Sequence, residues 1–277
     1  MNKEFGVIIL TKTLIKYYII KEEFMLKNKV CVITGAASGI GLAIAESFSK
    51  DGALLIMADI NEEKLKEEAE RLGGSYLKTD LSKEEDCEAI INFAVEKYST
   101  VHVLVNVAGI QNVAPIEDFP VSKWKLIIDL MLTAPFILTK YAFPYMKKQE
   151  WGRIINLNSA HGIRASEFKS AYVSAKHGLS GLTKVTALEG APYGITCNSI
   201  CPGYVKTPLV EKQIADQAKA HGISEDKVVT DVMLKKQALK KLIDPSDIGE
   251  LAKYLCSDAA QCMSGTCVSI DGAWSAQ

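Results

Sequence analysis

The chain has 277 residues, 48% hydrophobic and 23% charged, with 32 basic against 33 acidic side chains and a formal net charge of −1. That balance suits a soluble globular protein of one or two domains, and without a Lys/Arg block it carries no nucleic-acid footprint. Seven cysteines without C-x-x-C spacing fall mainly in apolar runs such as VCVIT and ITCNSIC, which argues against structural zinc or a disulfide framework and for a reducing cytosol.

In chain order, residues 1–24 stand apart. GVIILTKTLIKYYII is apolar but interrupted by Lys12 and Lys16. It falls short of the ~20 unbroken apolar residues of a membrane helix and lacks a small-residue cleavage site. The expectation is an extension outside the fold, with an interfacial anchor as the alternative and no membrane span. From Met25 to Gln277 the chain is expected to form one domain.

VCVIT (30–34), ALLIMA (53–58), SYLKTD (75–80), VHVLVN (101–106), RIINLN (153–158), ITCNSIC (195–201) and TCVSID (266–271) read as strands. Helical stretches such as GLAIAESFSK and NEEKLKEEAERL lie between them. Strands alternating with helices predict an α/β fold: a Rossmann-like, doubly wound parallel sheet flanked by helices in a single domain. No repeat, low-complexity run or linker divides it.

TGAASGIG (34–41) ends the first strand and opens the first helix. Gly35 permits the tight turn, Gly39 a close backbone approach to a pyrophosphate, and Gly41 close helix–strand packing; Ser38 and Ile40 complete the cofactor loop. Asp59 closes the second strand, where a carboxylate accepts hydrogen bonds from the adenosine ribose hydroxyls and repels a 2′-phosphate. Ala36, Ala37, Ile60 and Asn61 supply no cation for such a phosphate. The cofactor expectation is therefore NAD over NADP. Asp59 can alternatively serve as N-cap of the following helix.

The stretch LNSAHGIRASEFKSAYVSAK (157–176) places Tyr172 and Lys176 four residues apart, on one face of a helix. A lysine held beside a tyrosine favours the phenolate, so a lowered Tyr172 pKa and a proton-transfer role near neutral pH are expected.

TGAASGIG, Asp80 after the third strand, NVAG (106–109), Ser159, Tyr172-x-x-x-Lys176 and PGYVKT (202–207) together resemble the short-chain dehydrogenase/reductase family over residues 27 to 277. The resemblance implies Tyr172 as general acid/base, Lys176 as its partner and a ribose ligand, and Ser159 as hydrogen-bond donor to the substrate oxygen. It implies further cofactor contacts from Asp80, Leu81, Asn106, Gly109, Pro202, Val205 and Thr207. Two positions depart from the family pattern. Val107 stands where a second Asn is usual, and Met131 stands where the family has a catalytic asparagine that supports a helix bend. A thioether cannot replace an amide's hydrogen bonds, so a weakly catalytic NAD(H)-binding protein is an alternative reading.

Gln111, His161, Lys169, Gln213 and Trp274 resemble the substrate pocket of bacterial-type D-3-hydroxybutyrate dehydrogenases. By that resemblance the first four grip a small carboxylate, with His161 partly protonated, and Trp274 packs on the carbon skeleton; Ser159 and Tyr172 complete the substrate-binding set. The function implied is reversible NAD-dependent oxidation of (R)-3-hydroxybutyrate to acetoacetate in ketone-body or polyhydroxybutyrate metabolism. Another small hydroxy or keto substrate is the alternative. Residues 208–240 are expected to form a two-helix lid turning at Gly222, and the resemblance implies a homotetramer.

Overall fold

The computed structural model describes residues 25–208, 210, 211, 214, 218 and 222–276. The expected extension 1–24 and Gln213 lie outside the described residues. Seven parallel strands form one sheet: β1 (Val30–Thr34), β2 (Leu54–Asp59), β3 (Ser75–Lys78), β4 (Val103–Asn106), β5 (Gly152–Leu157), β6 (Ile195–Pro202) and β7 (Cys267–Ile270). Their order is β3-β2-β1-β4-β5-β6-β7. β1, β4, β5 and β6 are buried along their whole length. Helices cover both faces, so these strands are continuous Val/Ile/Leu runs rather than alternating ones.

One face is closed by helices α1 (Gly39–Lys50) and α7 (Pro245–Cys256), whose Ile44, Phe48, Ile248 and Leu255 meet the sheet in one apolar cluster. The other face carries α3 (Glu84–Tyr98) and α5 (Ala134–Lys148), with Ile90, Ile91, Ala134 and Leu138 in a second cluster. α2 (Glu62–Leu72) follows β2 and ends on Gly73 at φ 67. Its N-cap is Asn61, whose side chain accepts from the Lys64 amide. The helix therefore does not need Asp59 as a cap, which leaves that carboxylate for another role.

β1 has β2 on one side and β4 on the other. The chain winds outward from β1 to β3, then returns to β4 and winds the opposite way. The connections beyond β1 and β4 diverge there and open a crevice at the strands' carboxyl ends, the usual ligand position in such sheets. Thr34 stitches this point: its hydroxyl accepts from the Val107 amide at 2.9 Å.

α4 (Val121–Ile128) runs into α5 through a π-helical turn, Asp129–Thr133, with Met131 at its centre. This 28-residue stretch is long and apolar enough to cross a bilayer, but its buried Ile127, Met131, Ala134 and Leu138 serve the domain's interior. α6 (Ser170–Gly190) lies beside it and carries Tyr172 and Lys176 on its first turns. Within the expected lid, Gly222 turns at φ 63 and a helical segment follows over 225–233. Ile214, Val228 and Met233 gather there with Tyr204, Val210 and Leu242 in a separate apolar cluster.

Candidate active site

The crevice is a cleft of ≈ 480 Å³. Its floor is the glycine loop. Gly35 and Gly39 hold φ values of 64 and 56, left-handed conformations that favour glycine. A Cβ on Gly41 would stand 2.1 Å from the Gly35 carbonyl oxygen, so only glycine lets α1 approach β1 this closely. The N-cap Ser38 makes no side-chain bond, and the first turn of α1 has no acidic residue. The helix's own first turn thus leaves its positive dipole end open, as a phosphate cradle requires.

Asp59 sits at one end of the cleft, half-buried, with one carboxylate oxygen 3.1 Å from the Ala37 amide and the other 3.0 Å from the Asn61 amide. It ties the second strand to the glycine loop while facing the cleft. Asp80 and Leu81 line the next portion. The Ser82 hydroxyl donates to Asp80 at 2.7 Å and, with the neighbouring amide and Lys83, holds this carboxyl below its ordinary pKa. Gly109 lies under Met131: a Cβ there would meet Met131 Cε at 3.1 Å. Pro202, Val205 and Thr207 close the far wall. These residues fit an extended dinucleotide: a phosphate cradle in the middle, a carboxylate at one end, and a reactive group at the other.

Asn106 departs from expectation. It does not line the cleft; it is buried, and its amide donates to Asn156 Oδ1 at 2.8 Å. The two residues are register partners on β4 and β5. The side chain of Asn106 thus ties neighbouring strands.

At the other end the cleft brings together Gln111, Ser159, His161, Lys169, Tyr172, Lys176 and Trp274. Ser159 leaves β5 as the N-cap of a single 3-10 turn, Ala160–Gly162. Its Oγ lies 3.3 Å from His161 Nδ1 and accepts from the His161 amide at 3.2 Å. The His161 ring packs edge-on to Tyr172, with centroids 5.7 Å apart, and to Trp274 at 4.8 Å. Trp274 in turn stacks with Tyr204, 6.2 Å between centroids and 8° between planes.

The protonation states differ from two expectations. His161 is neutral, not partly protonated: burial lowers its pKa to about 3, and Lys169, Lys236 and His177 push it the same way. Its Nε2 is buried without a hydrogen-bond partner, the one polar atom of the ring left open to an incoming group. Tyr172 is raised above its ordinary range, not lowered. Desolvation dominates, and Tyr204 and Cys201 add to it, while the Ser159 hydroxyl pulls the other way. Lys176 does not reverse this because it is itself desolvated, with its pKa brought down to about 7. Its Nζ donates to the Leu157 carbonyl at 2.5 Å and stands 5.7 Å from the Tyr172 ring centroid. Burial also lowers Lys169, helped by Lys236.

Tyr204 was missed by reasoning from the sequence, although it stands inside PGYVKT beside three assigned residues. An aromatic at a strand's carboxyl end next to a proposed pocket is the signal that marks it. Asn158, which also lines the cleft, carried no such signal.

The family model described as enoyl-(acyl carrier protein) reductase matches residues 35–275. With the fold and the Ser159–Tyr172–Lys176 constellation, this places the chain in the short-chain dehydrogenase/reductase family, as an oxidoreductase. Among its relatives is the D-beta-hydroxybutyrate dehydrogenase of Rhizobium meliloti (strain 1021), 47% identical over 257 residues, covering 90% of this chain and 100% of the relative. The D-beta-hydroxybutyrate dehydrogenase of Cupriavidus necator is 43% identical over 258 residues, covering 91% of this chain and 100% of the relative. The cyclohexanol dehydrogenase of Acinetobacter sp. (strain SE19) is 35% identical over 257 residues, covering 90% of this chain and 96% of the relative. Oxidoreductases of this family use NAD or NADP.

Proposed function

We propose that the protein is an NAD-dependent dehydrogenase that interconverts (R)-3-hydroxybutyrate and acetoacetate. The observation that carries this reading is the group of Gln111, Lys169 and the unpartnered Nε2 of neutral His161 beside Ser159 and Tyr172 in one cleft. A small carboxylate offers few contact atoms, so charge-assisted and directional hydrogen bonds must supply its orientation. Lys169 supplies the charge, while Gln111 and His161 Nε2 supply direction. Trp274 and Tyr204 form the apolar wall for a short carbon chain. Gln213 is proposed as a further carboxylate ligand.

Bound NAD supplies the hydride acceptor. Tyr172 Oη would take the proton of the substrate alcohol during oxidation and give it back to the substrate oxygen in the reverse direction. Ser159 Oγ donates to the substrate oxygen and stabilises the charge that develops there. Lys176 holds the cofactor ribose and, when protonated, favours the Tyr172 phenolate. Gly35, Ser38, Gly39, Ile40 and Gly41 cradle the pyrophosphate, and Asp59 receives the adenosine ribose and selects NAD. Asp80, Leu81, Gly109, Pro202, Val205 and Thr207 flank the remainder. Residues 208–240 close over the site and exclude water.

Exposed Phe136 on α5 and Val185 and Leu188 on α6 support assembly into a homotetramer through these helices.

A second substrate reading rests on the apolar Leu126, Leu130 and Ile110 in the cleft lining and on the similarity to cyclohexanol dehydrogenase. It is a small alicyclic alcohol. Initial rates of NADH formation from (R)-3-hydroxybutyrate and from cyclohexanol separate the two. A higher kcat/KM for the hydroxy acid, lost in Lys169→Ala, supports the carboxylate reading, and a preference for cyclohexanol overturns it.

A further inference from the structure

We infer that Asn158 is a positioning residue that locks the Ser159–His161 turn to the helix carrying Lys176. Asn158 follows β5 and is 2% exposed. Its side-chain oxygen accepts from the Ser159 amide at 3.0 Å. Its Nδ2 donates to Ser180 Oγ at 2.8 Å and reaches Ser199 Oγ at 3.5 Å. One amide thus touches the turn through its acceptor and helix α6 and strand β6 through its donor.

Ser180 completes the link. Having accepted from Asn158, its hydroxyl proton lies within reach of the Gly162 carbonyl at 3.1 Å and the Lys176 carbonyl at 3.2 Å. The first closes the far end of the turn that holds Ser159 and His161. The second is the backbone of the lysine itself. Gly162 is shaped to the same amide: a Cβ there would come within 2.2 Å of Asn158 Oδ1. Behind it, Thr183 bonds Ser199 at 2.8 Å and the Asn156 amide at 2.9 Å, so Asn158 rests on satisfied, buried groups.

An aspartate at 158 keeps the acceptor for the Ser159 amide but loses the donor to Ser180. An alanine loses both and leaves the Ser159 amide unpaired. A displacement of Ser159 by about 1 Å relative to Tyr172 and Lys176 costs roughly 10²-fold in turnover. The glycine loop lies outside this linkage, and Lys176 Nζ keeps its own bond to the Leu157 carbonyl, so NADH affinity is expected to change little.

The inference rests on the dehydrogenase reading for its kinetic consequence, so the test pairs kinetics with an activity-free readout. Asn158→Ala and Ser180→Ala are compared with the parent by kcat, NADH titration and amide hydrogen exchange. Expected for Asn158→Ala is a kcat lower by about 10²-fold, with NADH affinity within about twofold. Faster exchange over 159–163 and unchanged exchange over 35–41 are expected with it. Ser180→Ala shows the same pattern to a smaller degree and decides the matter if Asn158→Ala does not fold. Unchanged exchange over 159–163, or losses of kcat and NADH binding in equal proportion, overturn the inference. A parent protein without activity overturns the proposed substrate while the exchange data still decide the role of Asn158.

Discussion

Met131 covers Gly109: a Cβ on that glycine would lie 3.1 Å from Met131 Cε and 3.5 Å from its sulfur. The thioether occupies a buried pocket with Ile127, Ala171 and Ala175, against Tyr172. A π-helical turn, Asp129–Thr133, is nevertheless formed at this position. Backbone hydrogen bonding makes that turn without an amide side chain.

Met131→Asn is therefore expected to leave kcat within about threefold while lowering stability. A buried amide without partners costs about 1–3 kcal/mol. Steady-state rates and thermal melts of the two proteins check this. A rise in kcat of tenfold or more in Met131→Asn would show instead that the parent is handicapped.

Lys176 links stability to pH. Its pKa falls from an ordinary 10.5 to about 7 in the folded protein. Between those values the unfolded chain binds one more proton, so the destabilising contribution grows as pH falls through this window. It is complete below about pH 7 and absent above the ordinary value. Lys176→Met is expected to abolish turnover yet raise stability at pH 7 by up to about 5 kcal/mol, part of it offset by the lost bond to the Leu157 carbonyl. Denaturant titrations at pH 7 and pH 10 should show the gap between variant and parent narrowing as pH rises.

Tyr172, held above its ordinary pKa by desolvation in the free protein, must be a phenolate to receive the alcohol proton. Oxidation is expected to speed up from neutral to alkaline pH, and reduction, which needs the protonated phenol, to show the opposite slope. Rate profiles in both directions test this. Parallel slopes would remove Tyr172 from the proton path.

The glycine loop gives a purely steric prediction. Gly41→Ala places a methyl group 2.1 Å from the Gly35 oxygen, so α1 must move away from β1 and NADH binding should be lost. Asp59→Asn keeps the shape but removes the charge. It should narrow the preference for NAD over NADP by about tenfold or more. Fluorescence titrations with both reduced cofactors measure each effect.

The sheet was readable because continuous β-branched runs such as VCVIT and ITCNSIC occur where both faces are covered. β1 falls on its predicted limits, and the other strands differ from theirs by one or two residues. The glycine loop and Asp59 were readable because their spacing encodes backbone geometry. Protonation states were not. Burial decides that His161 is neutral and Tyr172 raised, and burial depends on which distant residues, Trp274 and Tyr204 among them, close around the site. The side-chain bond of Asn106 was not legible for a similar reason. Its position in NVAG fits a cofactor ligand, while Asn156 on the neighbouring strand claims its amide. The π-helical turn at Met131 was invisible because no breaker marks it.

The most direct test is the initial rate of NADH formation from (R)-3-hydroxybutyrate by the purified protein, beside Tyr172→Phe. The account predicts saturable turnover with NAD by the parent protein. In Tyr172→Phe it predicts a kcat lower by about 10²–10⁴-fold with NADH binding retained. No turnover by the parent despite NADH binding, or equal rates in the two proteins, would contradict it.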